Sequence, residues 1–125
     1  MAQSSASFHE DPEVLKTETK DRHRAIVSLM EELEAVDWYD QRVDAATDEE
    51  LRAVLAHNRD EEKEHAAMTL EWLRRRDAGW AEQLKNYLFT EKPILEVEEA
   101  IDAAGESGGE RTSSDGSLGI GSLRK

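Results

Sequence analysis

Glu62 and His65, in the run RDEEKEH, are the one Glu-x-x-His pair in the sequence. On a helix, residues three apart lie on one face, so this carboxylate and imidazole can meet the same hard cation. Thirty residues earlier stands Glu32, in MEELEAV. A di-iron carboxylate centre in a four-helix bundle takes a Glu from each of two helices and a Glu-x-x-His from each of the other two. The chain supplies one of each, which is half a site and half a bundle. Two copies on a two-fold axis would supply the rest. The competing reading is a solvated helix face whose charges pair one turn apart. Glutamate is 19 of the 125 residues, so one often falls three places before a histidine by chance.

The elements that must position these residues are long helices. In the first, Ala25, Leu29, Glu32, Val36, Tyr39 and Val43 advance by alternating steps of four and three. In the second, Leu51, Leu55, Asn58, Glu62, His65, Thr69 and Trp72 do the same. That spacing is the seam of packed helices, and a charge in a seam needs a partner or a metal. Asp11 with Pro12 marks one helix start, and Thr47 with Glu50 matches a capping box at another. Gly79 is read as the stop of the second helix. The pattern predicts helices over 12–45 and 48–77 in an antiparallel hairpin, with a short third over 80–90. Glu32 and Glu62 lie about equally far from the turn near residue 47, which predicts level carboxylates.

Other residues admit two readings each. Val27, Glu31, Glu34 and Trp38 form a stripe beside the Glu32 seam, either a cation-drawing rim or a hydrated surface. Tyr39 is either a redox-active neighbour of the centre or a core tyrosine with a satisfied hydroxyl. His57, Glu61 and Glu64 share one face, as a peripheral metal site or as solvated charge. His9 and His23 suggest only ordinary polar positions. Gly119 and Gly121 follow no strand and form no phosphate loop.

Composition narrows the function classes. With 16 basic and 29 acidic residues the net charge is −13, which disfavours nucleic acid and anionic membranes. There is no cysteine, hence no disulfide or thiolate site. No apolar run has membrane-span length, and Met1–Glu10 lacks a signal-peptide layout, so a soluble, cytoplasmic protein is expected. Leu, Ile, Val and Phe total 24 residues, few enough that the chain should be partly disordered or complete its core with another copy. Four regions separate: a polar disordered N-terminus (1–11), a helical half-bundle (12–91), a flexible acidic and Gly/Ser linker (92–116), and the tail SLGIGSLRK (117–125).

The stretches IVSLMEELEAVDWYDQRVDA, LAHNRDEEKEHAAMTLEWLRRR and YLFT resemble the encapsulated ferritins, the ferritin-like cargo of encapsulin nanocompartments. The resemblance spans about residues 12–94, and the tail is similar to encapsulin-targeting peptides. It implies a hairpin plus a short third helix, all α-helical. Two chains would build a ferritin-like four-helix bundle, and dimers a ring-shaped decamer. It places the di-iron ligands on Glu32, Glu62 and His65, with Tyr39 beside the centre. Cation-entrance acids fall on Glu31 and Glu34, next to Trp38. A peripheral site for calcium or another divalent cation falls on His57, Glu61 and Glu64. The implied activity is a ferroxidase, oxidising Fe(II) to Fe(III) with dioxygen between two subunits and feeding iron storage within the shell. The alternative is a non-enzymatic acidic helical module that binds metal as cargo or adaptor.

Overall fold

The computed structural model describes residues 7–107. Among them there is no strand. A 3₁₀ turn, Pro12–Val14, precedes four helices: α1 Thr17–Ala45, α2 Glu49–Arg76, α3 Ala78–Tyr87 and α4 Ile94–Ser107. The all-helical class is as expected. No helix of the described residues is long and apolar enough to cross a membrane. The chain divides between Arg76 and Asp77 into two compact units.

The first unit is the α1–α2 hairpin. Three cross-helix contacts fix its sense. Arg52 Nε donates to the Val43 carbonyl at 3.2 Å, Arg59 Nη1 donates to Asp40 Oδ1 at 3.0 Å, and Thr69 Oγ1 donates to Glu32 Oε1 at 3.2 Å. Numbers rise on α2 as they fall on α1, so the helices are antiparallel. All six seam positions of α1 from Ala25 to Val43 are half-buried, as are those of α2 from Leu55 to Trp72; Leu51, beside the turn, is exposed. Only Ala66 and Leu73 of the hairpin are buried. Leu33, Val54 and Met68 each keep half or more of their surface in solvent. Two helices can cover one stripe each, so the other apolar positions lack cover within a single hairpin.

Helix ends depart from the sequence reading. Asp11 does cap, accepting from the Glu13 N–H at 2.9 Å, but what it opens is the 3₁₀ turn. Leu15 then turns extended, and α1 starts at Thr17 without a side-chain cap. At α2 the capping side chain is Asp48, whose Oδ2 accepts from the Leu51 N–H at 2.8 Å. It takes the place expected of Thr47 because it stands next to the first helical residue. Gly79 stops nothing. It lies in the first turn of α3, where Asp77 Oδ1 accepts from the N–H groups of Gly79 (2.9 Å) and Trp80 (3.2 Å). A Cβ at Gly79 would stand 3.3 Å from that oxygen, so glycine suits this close cap.

The second unit holds α3 and α4, which pack together. α3 ends at Tyr87, three residues before the expected limit. Phe89 follows with φ of 64° and is almost wholly exposed. Helix α4 corrects the flexible linker expected over 92–116. The Pro93 carbonyl accepts from the N–H groups of Glu96 and Val97 and opens the helix. Ile94, Val97 and Ile101 then recur at helical spacing, with Val97 buried. The remainder of that linker and the tail, with Leu118, Ile120 and Leu123, lie outside the described residues.

Candidate metal centre

The heptad steps of α1 and α2 bring Glu32, Tyr39, Glu62 and His65 to half-buried seam positions. Glu62 and His65 stand one turn apart on α2, with Nδ1 of the imidazole 3.6 Å from Glu62 Oε1. This pair is preformed by the helix itself. Glu32 comes from α1, and its carboxylate accepts a hydrogen bond from Thr69, one turn past His65.

The two carboxylates are therefore not level within one chain. Thr69 is seven residues beyond Glu62, about 10 Å along α2. The reason is the lean of helical side chains towards their own N-terminus. On α1 that direction points away from the turn and on α2 towards it, so equal residue counts put the side-chain ends at different heights. Among the described residues, no three His, Asp or Glu side chains of one chain gather closely enough to hold a metal. What the hairpin offers is two separate donor groups on one seam, Glu32 and the Glu62–His65 pair.

The flanking candidates are more open. Glu31 is exposed, Glu34 half-buried, and Trp38 half-exposed. The Arg42 guanidinium lies 5.9 Å from the Trp38 ring centre and 5.6 Å from that of Tyr39, within cation–π range. On the outer side of α2, His57 Nε2 stands 3.4 Å from Glu61 Oε2, and both are exposed. Glu64, also exposed, lines a shallow groove of about 490 Å³ with Ala67, Met68, Trp72 and Arg75. Further along that side, Arg74 bonds Glu71 bidentately and Arg75 adds a third contact. These hold the Glu71 carboxyl down to about 2. Asp60 is likewise held below its ordinary range, chiefly by its bond to Arg59.

Two partnerships were not foreseen from sequence. Arg59 ties α2 to Asp40, and Thr69 bonds Glu32. The second had a signal in the seam itself, since Thr69 continues the Glu62–His65 steps with a hydroxyl where an apolar residue is usual.

A family profile described as EncFtn-like matches residues 7–91. The chain belongs to the EncFtn-like family. It is similar to an encapsulated ferritin-like protein of Rhodospirillum rubrum, with 72% identity covering 99% of this chain and 92% of that protein. A ferritin-like protein of Thermotoga maritima is 52% identical, covering 90% and 94%. An encapsulin nanocompartment cargo protein, EncC, of Myxococcus xanthus is 31% identical, covering 87% and 88%. Among solved structures, protein ne0167 of Nitrosomonas europaea superposes with a TM-score of 0.69 at 64% identity, over 70% of this chain and 97% of that one. These family members fit the helical hairpin to a ferritin-like bundle.

Proposed function

We propose that the chain is a ferroxidase whose di-iron centre is completed between two copies. One observation carries this. Glu32, Glu62 and His65 occupy facing seam positions, yet one hairpin gathers no three-donor cluster. A second copy would add the same two donor groups, giving two glutamates and two Glu-x-x-His pairs. Carboxylates with one imidazole per metal suit iron in both oxidation states and leave part of its coordination shell open. Iron there is substrate: each Fe(II) gives up one electron, and dioxygen is the acceptor. The chain's residues bind it and hold it in pairs within a half-sheltered seam. Glu31 and Glu34, beside Trp38, serve as the cation entrance, and Tyr39 is the redox-active neighbour. His57, Glu61 and Glu64 form a peripheral site for calcium or another divalent cation.

The copies associate as dimers and, in the family pattern, as a ring-shaped decamer. The Rhodospirillum relative is an encapsulated protein and the Myxococcus relative an encapsulin nanocompartment cargo, which supports the same placement here, inside an encapsulin shell. Residues 117–125 would be the address, since Leu118, Ile120 and Leu123 recur within six positions directly after a Gly/Ser-rich stretch of sequence, the pattern of a short apolar docking segment. Deleting Ser117–Lys125 should leave oligomer and oxidation intact and abolish packaging on co-expression with a shell protein. Full loading of the truncated chain would show that the address lies elsewhere.

The deciding experiment is anaerobic Fe(II) loading with native mass measurement, then admission of air with oxygen uptake recorded. Two irons per dimer followed by oxygen consumption is the expected result. The rival reading, an acidic metal-binding cargo or adaptor without turnover, takes its support from the exposed ion-paired face of α2. Metal retained without oxygen uptake would establish it instead.

A further inference from the structure

We propose that Thr69 is a positioning residue that holds Glu32 ready for metal, an inference that rests on Glu32 being a ligand. Thr69 Oγ1 lies 3.2 Å from Glu32 Oε1 on the other helix and 3.1 Å from the carbonyl of His65 on its own. A threonine hydroxyl has one proton, so it serves one of these acceptors at a time. In a helix the usual acceptor is the carbonyl four residues back, here that of His65. The alternative is an ionised carboxylate, and bonds to charged acceptors are about twice as strong as neutral ones. With Glu32 free of metal, the proton therefore belongs on Glu32 Oε1.

The consequences follow from that choice. A glutamate side chain at the seam has three rotatable bonds, and fixing them costs free energy each time a cation arrives. Thr69 meets part of that cost in advance. It engages one carboxylate oxygen and leaves Oε2 for the cation. Thr69 Oγ1 already lies within reach of both acceptors, so only its proton need turn to change partner. Among the described residues Thr69 is the hydrogen-bond partner of the Glu32 side chain. Once a cation neutralises Glu32, the proton can swing to the His65 carbonyl, on the turn that carries the imidazole ligand. Thr69 thereby links the α1 donor to the α2 pair, between which the described residues show no direct hydrogen bond or ion pair.

The test uses the full chain in four forms: wild type, Thr69→Val, Thr69→Ser and Glu32→Ala. Valine keeps the shape and removes the hydroxyl. Anaerobic Co(II) titration, read by visible absorption, gives metal affinity and coordination without turnover. Fe(II) oxidation under air separates KM from kcat. Thr69→Val should weaken Co(II) binding about tenfold, the usual cost of removing a group that orients a ligand. It should raise KM for Fe(II) more than it lowers kcat, and Thr69→Ser should restore most of both. Wild-type binding by Thr69→Val, or no rescue by Thr69→Ser, would overturn the role of Thr69. If Glu32→Ala also binds as wild type does, it is the ligand assignment that fails. Should Thr69→Val not fold, Thr69→Ala takes its place with the same expected loss.

Discussion

Helix α2 carries two stripes with histidine and glutamate, one residue apart in sequence and about 100° apart in space. The inner stripe is Asn58, Glu62, His65, Thr69 and Trp72. The outer one is His57, Glu61, Glu64, Met68 and Glu71. Both advance by four and three, and both set a histidine beside glutamate: one glutamate on the inner stripe, three on the outer. They differ in exposure and in where their partners lie. Inner residues are half-buried, and Thr69 reaches across to α1. Outer ion pairs stay within α2: His57 with Glu61, and Glu71 with Arg74 and Arg75. Residue types alone do not make a di-iron centre; that needs donors from more than one helix in partial shelter from water, whereas the outer stripe offers surface donors from α2 alone. On the outer stripe water screens the charges, and Glu71 is paired by Arg74 and Arg75 of the same helix.

The largest expected effect breaks this comparison directly. Glu32→Ala, Glu62→Ala and His65→Ala should each abolish most rapid Fe(II) oxidation in stopped-flow absorbance. His57→Ala and Glu61→Ala should leave the rapid phase in place. The first group removes donors from the seam, while the second removes one side of an exposed pair. Near-wild-type oxidation by the first group, or its loss in the second, would reverse the ranking of the two stripes.

Next comes the packing beside the inner stripe. Leu73, fully buried, should cost about 2–5 kcal/mol when cut to alanine, because transfer and cavity terms add. Met68 on the outer stripe is 58% exposed, and its alanine variant should stay within about 0.5 kcal/mol. Chemical denaturation of both variants gives the difference. Equal losses would mean that a partner chain covers Met68, which would merge the two faces in the assembly.

These contrasts also mark what was legible in the sequence. The seam was readable because a helix of 3.6 residues per turn forces inward positions into steps of four and three. Interruptions such as Glu32 and His65 therefore stand out. Ends were less legible, because several residues can cap and the first-turn geometry selects among them. Asp48 displaced Thr47, and Asp77 drew Gly79 into the start of α3. Helix α4 was read as linker because its acidic residues and the Gly/Ser tract that follows masked the Ile94, Val97 and Ile101 spacing. The height of Glu32 was lost for another reason: residue counting locates Cα atoms, whereas chemistry happens at side-chain ends that lean in opposite directions on antiparallel helices.

A smaller effect belongs to the rim of the centre. Glu31→Ala and Glu34→Ala should slow the oxidation without abolishing it, since the proposed role of these residues is in cation supply and not in holding the bound pair. Raising ionic strength should shrink their defect, because screening removes the wild type's steering advantage. A defect in either variant as deep as that of Glu32→Ala would move that residue into the centre.

The smallest effect tests the outer stripe alone. Arg74, and then Arg75, hold the Glu71 carboxyl at about 2, against an ordinary value of 4.5. A folded-state value below the unfolded one means that the unfolded chain takes up the proton more tightly on acidification. The contribution of Glu71 is therefore present above about pH 4.5 and fades as pH falls towards 2. Its side chain is 39% exposed, so screening leaves only a slight gain. Glu71→Gln should lower Tm a little at neutral pH. That gap should narrow through the acid range and also on adding salt, as followed by circular dichroism melts. A gap independent of pH would mean that Glu71 acts by packing and not by charge. One as large as that of Leu73→Ala would place this carboxylate in a sheltered interface, and the outer stripe would no longer be a solvated face.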